Sequence, residues 1–172
     1  MQNVSDKNES ALWTQIAPLL DAAMARLNET DRHALIRGLF ESRRATLRPL
    51  LLAAINAGAD LPFEPRLRLF MHELLAVYES HRSFLKVAIE NEHVRPPGST
   101  TAQDLLGGVV GIIAAGVREG AIAAGKAELL PLVITGALKA IIVARLQAGG
   151  ELASDADALV AILLDGVRRA AP

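Results

Sequence analysis

The stretch LLPLVITGALKAIIVARLQ, residues 129–147, decides the fold of this chain. Wound into a helix it is apolar on nearly every side, and Lys139 and Arg145 are its only charged residues. A helix that is apolar all round needs burial on every side. In a protein of 172 residues, a partner subunit can cover the side of the helix that the chain itself leaves exposed. The stretch therefore predicts a helix at about 127–147 that packs against its own chain and a second copy. A monomer that wraps the helix completely is the alternative.

The composition around this stretch favours packed helices over a sheet. Alanine and leucine make up a third of the chain, and all the aromatic residues lie before residue 85. Strands prefer β-branched and aromatic residues, whereas Ala and Leu have high helix propensity. The predicted fold is therefore all-α, with about seven helices.

The net charge and the residue types in the chain argue against several classes of function. The 18 basic and 19 acidic residues give a formal charge of −1, which provides no electrostatic case for a nucleic-acid binder as a whole. The absence of cysteine excludes disulfides, thiolate metal sites and cysteine nucleophiles. The polar N-terminus resembles no signal peptide, and the apolar runs are too short to span a bilayer. We expect a cytoplasmic protein that does not enter a membrane.

Caps, prolines and glycines predict where the other helices begin and end. Residues 1–9 are expected to be disordered, and a bend is expected near Ser80–Ser83 in the middle of the chain. The other predicted helices are 10–28, a short helix opened by Thr30 and Asp31, 42–57 with a stop at Gly58, one begun by Pro65, one from Thr100 or Thr101 to about 118, and a last helix capped by Ser154.

No motif in the chain points to catalysis, and we predict neither an enzyme nor a cofactor or metal. The sequence has no G-x-S-x-G elbow and no phosphate-binding loop. His72 and His81 are nine residues apart, which is not the spacing of paired helical ligands. Arg37, Arg44 and Arg48 can share a helical face that touches phosphates, although such a stripe is more often solvated.

The mid-chain aromatic residues form the best candidate for a ligand pocket. Phe70, Tyr78 and Phe84 lie on adjacent turns, with His72 and Arg82 nearby. Apolar pockets with a few polar groups are typical ligand sites, although aromatic residues at this spacing also form ordinary core. The predicted pocket consists of Phe70, Leu74, Tyr78, Phe84, Val110 and Ile113.

From about residue 40 onward, the order of helices resembles the C-terminal regulatory domain of the TetR/AcrR family of transcriptional regulators. HELLAVYESHRSFLKVAIENEHV (72–94) is similar to a long family helix that bends and continues, and LLGGVVGIIAAGVREGAIAAG (105–125) is similar to a helix that ends in a glycine turn. The pair 127–147 and 154–170 resembles the last two helices of that domain.

This resemblance implies a homodimer, a small apolar ligand and a domain covering residues 42–172. In the family, the last two helices form a four-helix bundle with those of the partner. The residues predicted to form that interface are Leu130, Ile134, Leu138, Ile141, Leu159 and Leu163.

The chain departs from the family at its N-terminus. The family's DNA-binding helix-turn-helix has no counterpart in residues 1–50, so residues 10–41 are described as a helical appendage. DNA binding is expected only if a helix-turn-helix is supplied elsewhere. The segment LWTQIAPLLDAAMARLNETDRHALIRGLFES (12–42) is similar to part of extracytoplasmic-type RNA polymerase sigma factors. The alternative function is therefore a sigma-like DNA- or polymerase-binding module.

Overall fold

The computed structural model describes residues 25–91 and 100–167, together with isolated positions between 16 and 23. The predicted all-α class is confirmed over these residues, which form six helices joined by turns and two short 3₁₀ segments, Ala124–Lys126 and Ala153–Asp155. The helices are α1 (Glu29–Asn56), α2 (Phe63–Ser80), α3 (Arg82–Glu90), α4 (Thr100–Arg118), α5 (Leu130–Ala148) and α6 (Ala156–Val167). The tail predicted over residues 1–9 lies outside the described residues.

Helix α1 is one continuous helix where the sequence predicted two that meet near Ser42, and that prediction is wrong. Its N-terminus is capped by Asn28, whose side-chain oxygen accepts the Asp31 N–H at 2.9 Å. Ile36, Leu47 and Leu51 are buried on the same side of the helix, so one core face supports all 28 residues. The helix runs through the predicted boundary between the appendage and the regulatory domain.

The ends of α1 and α2 lie where the sequence placed them. Gly58 adopts a φ of 65°, a left-handed conformation that follows the end of α1 and favours glycine. Helix α2 stops at Ser80 and α3 starts at Arg82, so the predicted bend is confirmed. The Ser80 hydroxyl donates to the Val77 carbonyl at 2.9 Å, which satisfies a main-chain acceptor in the last turn.

The core is built around α2, which packs against α1, α4 and α6. Phe70, Met71, Leu74 and Leu75 of α2 have no exposed surface. Helix α5 packs mainly against α4, and α6 reaches the core through Leu159, Val160 and its neighbours. The two C-terminal helices, α5 and α6, therefore pack against different helices.

Close helix packing in α4 depends on Gly108 and Gly116. A Cβ atom added at Gly108 would be 2.6 Å from the Ile55 side chain, and one added at Gly116 would be 2.6 Å from the Phe63 ring. The sequence has two G-x-x-x-G pairs, 107/111 and 116/120, whose spacing permits close helix contact. Of these four glycines only Gly116 makes such a contact, and an added Cβ at the other three meets no atom within 4 Å. Ile55 of α1 and Phe63 of α2 therefore face Gly108 and Gly116 and not the 107/111 pair.

Candidate functional site

The residues predicted to line a ligand pocket are divided among three environments. Phe70, Leu74 and Ile113 are at most 2% exposed and form part of the central core, with half-buried Tyr78 packed against it. The half-buried Phe84 packs edge to face on Phe40, with ring centroids 5.9 Å apart. Val110 is 47% exposed on another side of α4. The structure thus brings four of these residues together as packed core and places Val110 at the surface.

The residues predicted for the dimer interface lie on the inner side of the C-terminal helices. Five are buried in the chain's own core and Ile141 is half-buried; the five are Leu130, Ile134, Leu138, Leu159 and Leu163. The part of α5 that another molecule can reach therefore carries different residues.

That accessible side of α5 is apolar apart from the exposed Lys139, and we call its apolar part the α5 outer face. Leu132 and Val133 are 57% and 53% exposed, and Leu129, directly before the helix, is 64% exposed. The outer face consists of Leu129, Leu132, Val133, Gly136, Ala140 and Ala144, all of which are exposed. Ile162 of α6 is 71% exposed as well. The fold of the single chain therefore covers only one side of α5.

The sequence predicted that the apolar runs are too short to span a bilayer, but the length and composition of α5 meet the minimum for a membrane span. The helix has 19 residues, and its most apolar window has a mean hydropathy of 1.5. One such helix is weak evidence, because core helices of water-soluble proteins pass the same test.

A groove of about 430 Å³ runs along α1, and sequence reasoning did not identify it. Its lining combines a charged edge with an apolar floor and consists of Glu41, Arg44, Ala45, Arg48, Pro49 and Leu52. These residues recur three or four positions apart, which places them on one face of the continuous helix. That spacing was the available signal, and the sequence already placed Arg44 and Arg48 on one helical face.

At this groove α1 is tied to α4 by an ion pair between Arg48 and Asp104. Arg48 Nε donates to Asp104 Oδ2 at 2.6 Å, and Nη2 lies 3.5 Å from Oδ1. This hydrogen bond, together with the charges of Arg48 and Arg44, lowers the pKa of Asp104. Arg48, which lines the groove, is therefore already paired with a carboxylate of the chain's own.

A second polar cluster ties the α2–α3 bend to the loop after α5. The Arg82 guanidinium donates to the main-chain oxygens of Arg145 and Gly150, both at 2.5 Å. Glu79 pairs with Arg82 at 3.2 Å and accepts the Leu152 N–H at 2.7 Å. Arg82 thus supplies a second donor to the Arg145 carbonyl, which also accepts the Gly149 N–H at 3.0 Å, and a donor to the Gly150 carbonyl in the loop.

Two acidic residues at the start of α6 carry further links between helices. Asp155 accepts both arms of Arg145 at 2.6 and 2.5 Å, and these bonds lower the pKa of Asp155. Asp157 is bonded by Arg68 at 2.9 Å and lies 3.1 Å from His72 Nε2, and these partners lower the pKa of Asp157. Both carboxylates also lie near the N-terminus of α6, where the helix dipole stabilises negative charge.

The described residues hold no group of three His, Asp or Glu side chains that could bind a metal ion. His93 lies outside them. The features that can serve binding are therefore the α5 outer face and the α1 groove. The chain matches no protein-family model, no curated protein and no solved structure.

Proposed function

We propose that this chain is a self-associating, ligand-sensing domain of the kind found in TetR-like transcriptional regulators, acting in the cytoplasm as a homodimer. The observation that carries the proposal is the α5 outer face, an apolar surface that the single chain leaves uncovered. Large contiguous patches of exposed apolar surface mark interaction sites.

A second copy suits this surface because the side chains of the outer face are small at its centre and large at one end. Gly136, Ala140 and Ala144 follow one another at intervals of four residues, and an added Cβ at Gly136 meets no atom within 4 Å. Small residues at this spacing let two helices approach closely. The same face on two copies related by a two-fold axis then supplies both sides of the contact.

The size of the face argues that α5 does not form the interface alone. A 19-residue helix is about 28 Å long, so a strip about 10 Å wide covers about 300 Å². Stable interfaces bury about 800 Å² per partner. We therefore propose that α6 joins the interface through Ile162, in agreement with the expectation that the last two helices meet those of the partner.

Ligand sensing at the predicted pocket requires movement of the core. Phe70, Leu74 and Ile113 are almost completely covered, so a small apolar molecule can enter between them only if α2 and α4 separate. A ligand that prefers the separated arrangement would shift the population toward it. Because α4 packs on α5, that shift would reach the proposed interface.

The self-association proposal is tested by the mass of the chain in solution. We expect sedimentation velocity between about 1 and 100 µM to give a dimer, Val133→Glu to give a monomer, and Thr46→Glu, on the exposed side of α1, to remain a dimer. Circular dichroism checks that both variants stay helical. A monomeric wild type, or a dimeric Val133→Glu, would overturn the proposal. Binding of a monomeric wild type to phosphatidylcholine vesicles would assign the face to lipid instead.

The sigma-like alternative is supported by a different observation, the continuity of α1. One unbroken helix carries the exposed side chains of Arg37, Arg44 and Arg48. Cationic side chains on one helix can follow a phosphate backbone. A gel-shift titration at low salt tests this alternative: tight, sequence-specific DNA binding that Arg37→Gln weakens would favour it over self-association.

A further inference from the structure

We propose that the α1 groove binds a small amphipathic monocarboxylate, whose carboxylate replaces that of Asp104 on Arg48 and whose alkyl chain lies on Ala45, Pro49 and Leu52. The groove has a volume of about 430 Å³ and is wide open: its lining comes from one face of α1 and is exposed apart from the half-buried Leu52, so it covers a ligand only partly. This site is separate from the predicted aromatic pocket and does not require the core to open.

The Arg48–Asp104 pair shows which ligand chemistry the groove accepts. One N–O distance is short, at 2.6 Å, and the other is 3.5 Å, so Asp104 satisfies only one arm of the guanidinium well. A free carboxylate can approach the fork with both oxygens, since it is not held by a helix backbone. It would also lie in the field of Arg44, whose charge already acts on the Asp104 carboxyl.

The remaining lining residues select the rest of the ligand. Ala45, Pro49 and Leu52 offer apolar contact at helical spacing beside the two arginines. Glu41 lies at the N-terminal end of the same lining and repels a second negative charge. The groove is therefore better suited to a monocarboxylate with an alkyl chain than to a dicarboxylate or an inorganic phosphate.

Displacement of Asp104 would have a consequence beyond the groove. Asp104 belongs to α4, which packs on both α1 and α5. A ligand that takes its place on Arg48 removes a link between α1 and α4 and so changes how firmly α4 is held. The effect of this change on dimer formation rests on the proposed function, whereas binding of the carboxylate does not.

Octanoate is the probe that tests the groove. The groove is open to solvent on one side, so we expect a Kd of about 0.1–1 mM, measured by ¹⁵N chemical shifts of the full chain. Arg48→Gln should weaken binding at least about tenfold, because the charge-assisted bonds are lost. Asp104→Asn should tighten it several-fold, because the internal competitor is weakened. Arg37→Gln, on the same helix but outside the groove lining, should leave Kd unchanged.

Matched ligands and one further variant make the test decisive. Octan-1-ol and the dicarboxylate suberate should each bind at least about fivefold more weakly than octanoate. The monomeric Val133→Glu variant should bind octanoate as the wild type does, which separates this proposal from self-association. No shift changes up to 10 mM octanoate, or an Asp104→Asn variant that binds no more tightly than the wild type, would overturn it.

Discussion

Gly116 of α4 and Phe63 at the start of α2 are packed so closely that an added Cβ atom at residue 116 would be 2.6 Å from the Phe63 ring. The same Phe63 donates its main-chain N–H to Glu119 Oε2 at 2.8 Å, so α4 also caps α2. Residues 116–119 therefore position the N-terminus of the central helix.

Replacement of Gly116 by alanine should destabilise the protein. The new methyl group forces Phe63 out of its position, and overpacking of this kind costs about 1–3 kcal/mol, which exceeds the gain of about 1 kcal/mol in helix propensity. Gly111→Ala is the matched control, because its added Cβ meets open space and should stabilise the helix. Urea unfolding of both variants measures the difference. Equal midpoints would contradict the close contact.

Substitution of Arg82 by methionine should loosen the loop after α5. The variant keeps the apolar stem but leaves two main-chain oxygens and Glu79 without their guanidinium partner. Charge-assisted hydrogen bonds of partly exposed groups contribute about 1–2 kcal/mol together. Amide hydrogen exchange should accelerate at 149–152 in particular. Arg32→Met, on the exposed side of α1, serves as the control and should leave both exchange and stability nearly unchanged.

Stability should fall in acid partly through Asp155. Arg145 lowers the folded-state pKa of Asp155 below its ordinary value of 3.8. The resulting stabilisation is present above the unfolded-state pKa and is lost as the pH falls through the folded-state value. The free energy of unfolding should therefore decrease below about pH 4 in the wild type and decrease less steeply in Asp155→Asn. The wild type and Asp155→Asn should show the same slope of unfolding free energy against pH if Arg145 and Asp155 do not pair in solution.

The predicted pocket residues should differ sharply in their effect on stability. Leu74→Ala removes a completely buried side chain and should cost about 2–5 kcal/mol. Val110→Ala removes surface that is already 47% exposed and should change the stability by less than about 1 kcal/mol. Thermal or chemical unfolding compares the two. A neutral Leu74→Ala variant would indicate that a cavity, rather than packed core, surrounds this residue.

Local signals in the sequence were sufficient for the helical class and for several helix ends. The break at Ser80–Arg82 and the stop at Gly58 were both predicted correctly. These features depend on residues close together in the chain, such as a glycine that tolerates positive φ, so no knowledge of distant neighbours is needed. The prediction of two helices over 30–57 failed because a shared core face outweighed the local start signal at Ser42.

The sequence by itself determined that this protein is made of helices, and that α5 is apolar nearly all round. Only the tertiary structure decided which side of α5 is buried, because such a helix has no preferred face of its own until α4 covers one. The same holds for the glycines of α4: the sequence placed several of them in one helix, and the positions of Ile55 and Phe63 selected Gly108 and Gly116 as the contacts. The pairing of Arg48 with Asp104, a residue 56 positions away, likewise needed the approach of α4 to α1.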